Sequence, residues 1–121
     1  MASKWWSVVV DCEDPAAQAR WWAAALEYAV VYEGDEEVAI IGGTREEPEF
    51  PGLCFVKVPE GKSVKNRLHI DLNPDDQAAE VARLESLGAR RVDVGQKDVV
   101  WVVLADPEGN EFCVLRPRPQ G

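Results

Sequence analysis

The chain has 121 residues, 46% of them hydrophobic, and a formal net charge of −9. That length predicts one domain with a genuine core. The acidic balance excludes the basic surface that nucleic-acid phosphates need, and it disfavours anionic membranes. The sequence has no long apolar run, and from Met1-Ala2-Ser3-Lys4 neither a signal peptide nor a membrane span is expected. Cys12, Cys54 and Cys113 sit in apolar, strand-like runs without zinc-finger spacing. Reduced, buried thiols and a cytoplasmic location are therefore expected. Five tryptophans in so short a chain need a core or a pocket.

Residues 5–12 are β-branched and aromatic without breakers, which predicts a first strand. Asp14 then offers an N-cap and Pro15 a first helical position. Ala19, Trp22, Ala23 and Leu26 mark one face of a helix over 16–26, with Trp22 inward and Trp21 partly exposed. Short strands follow at 28–32 and 38–41. The acidic stretch Thr44 to Gly52 reads as a loop, and Leu53 to Val58 as a fourth strand.

Pro59-Glu60-Gly61-Lys62-Ser63 leads into a central strand over 65–73, which holds the chain's one histidine. Its alternation puts Leu68, Ile70 and Leu72 on an apolar side and Arg67, His69 and Asp71 on the other. Asn73 or Asp75 offers the next N-cap. Ala78, Val81, Leu84 and Leu87 step along a second helix that Gly88 ends. Strands at 91–94, 99–105 and 111–116 follow, the last two joined by a reverse turn at 106–110.

Both halves thus read β-α-β-β-β. The helix exits at Leu26-Glu27 and Leu87-Gly88 lie 61 residues apart, about half the chain. The predicted fold is α+β: tandem βαβββ modules, about 1–60 and 65–117, within one domain spanning 1–121. Together they are expected to form a curved eight-stranded mixed sheet with both helices on the convex side.

Asp11-Cys12-Glu13-Asp14-Pro15, Val58-Pro59-Glu60-Gly61-Lys62, Asn66 to Leu72 and Ala105 to Phe112 occur together in order. In this combination the chain resembles the glyoxalase-like branch of the vicinal oxygen chelate superfamily. That group includes glyoxalase I, extradiol dioxygenases, and fosfomycin- and bleomycin-resistance proteins. The resemblance implies a concave site with ligands from the first, fourth, fifth and eighth strands. Ser7, Cys54, His69 and Cys113 fall at those positions, with Glu111 at the same parity as Cys113.

A divalent metal on His69 and Glu111 is one implication, although the ligand set looks incomplete. His69 and Glu111 are also the candidate catalytic pair. His69 has a second reading as a structural histidine satisfied by Asp71, and Cys113 as a small apolar filler. Ser7, Arg67, His69, Asp71, Trp101 and Cys113 are the candidate ligand-binding residues. The functional expectation is a small-molecule binder of the bleomycin-resistance kind. The alternative is a metal-dependent lyase, isomerase or dioxygenase-type enzyme. Superfamily habit and sheet edges that need cover point to a homodimer.

Overall fold

The computed structural model describes residues 2–119. Its elements are β1 (Ser7–Cys12), α1 (Pro15–Leu26), β2 (Ala29–Glu33), β3 (Glu37–Gly43), β4 (Pro48–Lys57), β5 (Ile70–Leu72), α2 (Gln77–Ser86), β6 (Arg90–Arg91), β7 (Val102–Ala105) and β8 (Glu111–Val114). The order is β-α-β-β-β twice, the tandem α+β plan expected from the sequence. The chain divides into two compact units between Gly61 and Lys62. The strands form two four-stranded mixed sheets, ordered β1-β4-β3-β2 and β5-β8-β7-β6. In each, the first and last strands pair in parallel and the others antiparallel.

In the first unit, Asp14 caps α1, its carboxylate accepting from the Ala17 amide at 3.1 Å. α1 packs on β2, β3 and β4. Beneath it Phe55, Val38 and Ile40 are sealed from solvent. Side chains of this size each contribute about 1.5–3 kcal/mol when fully buried. Trp22 is buried as expected. Trp21 is buried as well, against expectation, and meets Trp22 edge-on with ring centroids 5.0 Å apart. The inward arc of α1 runs through Pro15, Gln18, Ala19, Trp21, Trp22 and Ala25, wide enough to take adjacent residues.

β4 begins at Pro48, inside the stretch read as a loop. Gly42 and Gly43 of β3 pair with Glu49 and Pro48, so the ladder runs out almost to the turn. Gly43, at φ 72°, lies so close to the Glu47 carbonyl that a side chain there would collide with it. The glutamates that read as a solvated loop flank this tight hairpin.

In the second unit Leu84, Leu104, Val114, Val81 and Phe112 form the core, with α2 against β8. The N-cap is Asp76, which accepts from the Ala79 amide at 3.0 Å, rather than Asn73 or Asp75. Asn73 is engaged elsewhere: its amide group exchanges hydrogen bonds with the backbone N–H and carbonyl of Arg118. The predicted strand over 65–73 shrinks to three residues. The Asn66 backbone N–H donates to the Glu111 carboxylate at 2.9 Å, and its side chain donates to Asn110. These bonds divert the chain before it can extend the ladder, and Leu68 is left 87% exposed.

The two helices end differently. α1 is capped by Glu27 in the left-handed region at φ 57°, whereas α2 is followed by Gly88 at φ 113°. A side chain at positive φ costs roughly 1–2 kcal/mol, partly offset by the unfolded-state freedom that glycine adds. Glu27→Gly is therefore expected to raise the unfolding free energy by about 0.5–1 kcal/mol. Gly88→Ala should lower it by at least as much, with urea denaturation as the check.

Candidate functional site

In each sheet the parallel ladder decides which side chains become neighbours. In the first unit the register places Val9 beside Cys54 and Ser7 beside Gly52. Cys54 also pairs with Ala39, and Ala39 with Tyr32. One row thus crosses the sheet as Val9, Cys54, Ala39, Tyr32, with small side chains on the two central strands and larger ones at the flanks. This row belongs to an open pocket of about 560 Å³. Trp6 and Phe50 form another part of its wall, stacked with centroids 4.6 Å apart and planes 28° from parallel.

Ser7, Glu37, Arg45 and Cys54 are among the polar side chains that line the pocket, with Tyr32. The Cys54 thiol donates to Glu37 Oε2 at 2.9 Å. Burial, then the hydrogen bond and negative charge of Glu37, then Cys12, push the Cys54 thiol up to about 12. Cys54 is thus a neutral hydrogen-bond donor at physiological pH and a poor nucleophile.

In the second unit the equivalent ladder sets Asp71 beside Cys113. The ligand atoms of His69, Asp71 and Cys113 lie within 4.8 Å of one another. His69 Nε2 is 3.2 Å from Asp71 Oδ1, and both side chains are about half exposed. Burial raises the Cys113 thiol pKa; the Asp71 charge and hydrogen bond push the same way, and Lys65 opposes them. One imidazole nitrogen, one carboxylate and one sulfur suit a borderline or soft divalent ion such as zinc. They suit a hard, oxygen-preferring ion poorly.

Glu111 is engaged differently. Its carboxylate accepts from Lys62 Nζ at 2.6 Å and from the Asn66 backbone N–H. Burial works to raise its pKa. The hydrogen bonds from Lys62, Asn66 and its own backbone, with the Lys62 charge, outweigh burial and hold it below the usual carboxylate range.

Of the sequence candidates, the structure brings His69, Asp71 and Cys113 together in the second unit and sets Ser7 in the pocket of the first. Arg67 is exposed on the segment before β5, and Trp101 is 39% exposed just before β7. The sequence reading did not single out Glu37, Phe50, Tyr32 or Arg45. Phe50 was hidden by the loop assignment. Glu37 could have been found from β-strand alternation with Ala39, had β3 been started one residue earlier.

A family model described as a glyoxalase-like domain matches residues 7–115. No curated protein matches the sequence. Among solved structures, a fosfomycin resistance protein, FosX, from Listeria monocytogenes, complexed with Mn(II) and sulfate, aligns with a TM-score of 0.74 at 10% identity. The alignment covers 98% of this chain and 93% of that one. A glyoxalase-related enzyme from Fulvimarina pelagi gives 0.70 at 15% identity, covering 99% and 94%. A glyoxalase/bleomycin resistance protein/dioxygenase family enzyme from Burkholderia phytofirmans gives 0.68 at 15%, covering 93% and 97%. At these identities the likeness is one of fold.

At pH 8, Cys54 should alkylate with iodoacetamide roughly a hundred- to thousandfold more slowly than a free thiol, because so little of it is thiolate. Glu37→Gln should speed that reaction at least tenfold while leaving the contribution of burial in place, as read by site-resolved mass spectrometry. For Glu111, a folded-state pKa below the ordinary 4.5 means its contribution is present above pH 4.5 and is lost as the pH falls below that value. Glu111→Gln should therefore lower stability by about 1–3 kcal/mol at pH 7. The gap to wild type should narrow below pH 4.5 in urea titrations.

Proposed function

The chain belongs to the glyoxalase-like domain family, and we propose that it binds a small organic ligand in the pocket of its first unit without needing a complete metal site. The observation that carries this reading is the Trp6–Phe50 stack. Trp6 is 69% exposed and Phe50 46%, so these rings line an opening of ligand size instead of filling a core. Aromatic faces of this kind bind flat groups by stacking and by burial of apolar area. The protein acts in the cytoplasm, a reading supported by three cysteines that form no disulfide among the described residues, which fits a reducing compartment. It works as a homodimer, for which the exposed Trp5, Val64 and Leu68 offer apolar surface that a second copy would cover.

A second reading is favoured by one observation, the convergence of His69, Asp71 and Cys113. In that reading the chain is a metal-dependent lyase, isomerase or dioxygenase-type enzyme of the wider superfamily. His69, Asp71 and Cys113 would hold the ion, which would supply Lewis-acid polarisation of a bound oxygen. The structure of FosX with Mn(II) gives the fold a metal-bound precedent. Glu111, the sequence's other candidate ligand, would steady the segment leading to His69 through Asn66.

Titration with 2-(1-naphthyl)ethanol, an uncharged flat probe, tests the first reading. Tryptophan fluorescence should quench saturably in the wild type. Trp6→Ala and Phe50→Ala should each weaken binding about tenfold, which corresponds to ~1.4 kcal/mol, and His69→Ala should leave it unchanged. Light scattering on the same samples should give about twice the mass of one chain. Equimolar zinc after dialysis, lost in His69→Ala, together with no quenching by the probe, would favour the second reading.

A further inference from the structure

Glu37 gives the pocket a polarity that its apolar walls do not require. It begins β3 two residues before Ala39, so its side chain leaves the same face of the strand, roughly 7 Å along from the small floor of the pocket. The Cys54 thiol fixes one carboxylate oxygen by its 2.9 Å hydrogen bond. A neutral thiol orients the carboxylate without cancelling its charge. Among the described residues no basic side chain pairs with Glu37.

The other charged lining residue, Arg45, sits beyond the far end of β3, in the tight turn after Gly43. Glu46, Glu47 and Glu49 follow it closely in sequence, so that end carries no net attraction for an anion. The formal charge of the chain, −9, adds to the same bias.

We propose that this pocket selects a flat aromatic group bearing a short protonated amine arm, with the ring over the Ala39–Cys54 floor beside Tyr32 and the ammonium on Glu37. The inference rests on the pocket being the ligand site and adds the chemical class of the ligand. Cys54 is then a positioning residue: it touches Glu37 and holds it toward the floor. The recognition involves no covalent step, since Cys54 stays a thiol throughout.

The test uses three probes of matched shape on the full chain: 2-(1-naphthyl)ethylamine, 2-(1-naphthyl)ethanol and 1-naphthaleneacetate, each followed by tryptophan fluorescence at pH 7. The amine should bind at least tenfold more tightly than the alcohol, and the acetate most weakly. Glu37→Gln should erase the advantage of the amine over the alcohol. Cys54→Ala should reduce that advantage severalfold, and Cys54→Ser, which keeps a donor, should restore it. Circular dichroism on each variant confirms that the fold is intact. Equal affinities for amine and alcohol, or a preference for the acetate, would overturn the proposal and leave the pocket reading standing. Failure of all three probes to bind would remove both.

Discussion

The parallel pairing of first and last strand within each βαβββ unit is the constraint from which the rest follows. A helix must intervene between a strand and its parallel neighbour or precede the strands that lead back to it, so α1 and α2 are obligatory parts of the ladder. The pairing also decides which side chains become neighbours. Val9 meets Cys54 and Asp71 meets Cys113 because β1 accepts β4, and β5 accepts β8, in matching registers. Residues more than forty positions apart in sequence are thereby fixed side by side.

The internal repeat makes the two units comparable at the level of single atoms. Cys54 and Cys113 hold the same place on the last strand of their units, and each thiol has a carboxylate beside it. The carboxylate comes from a different strand in each case: Glu37 of β3 in the first unit, Asp71 of β5 in the second. Where the second unit has His69, the first has Ser7, a residue with little affinity for metals. One unit thus holds an imidazole, a carboxylate and a thiol close together, and the other an open pocket with aromatic side chains in its wall. The same backbone plan serves both because strand register, not side-chain identity, brings the positions together.

Much of this was legible in the sequence. The Asp14-Pro15 start of α1, the glycine after α2, the 106–110 turn and the β-α-β-β-β repeat all carry local signals that dominate their surroundings. That His69, Asp71 and Cys113 would lie near one another was an expectation of the family resemblance, although His69 itself falls just before β5. What escaped was decided by non-local partners. The strand expected at 65–73 was shortened because Asn66 finds the Glu111 carboxylate, and Asn73 was lost as a cap because it finds the Arg118 backbone. Trp21 was misjudged because a single face of four residues understates how broad an arc a sheet can cover. Glu37 and Phe50 went unnoticed because the third strand was started at Val38 and the first residues of β4 were read as a loop, which hid the ladder that holds both.

The alternation within β3 separates two tasks between neighbouring residues. Val38 and Ile40 are sealed beneath α1, while Ala39, between them, faces the trough. Packing density on one side of the strand is thus independent of volume on the other. Substitution of Ala39 would therefore change the depth of the pocket while the packing beneath α1 stays as it is.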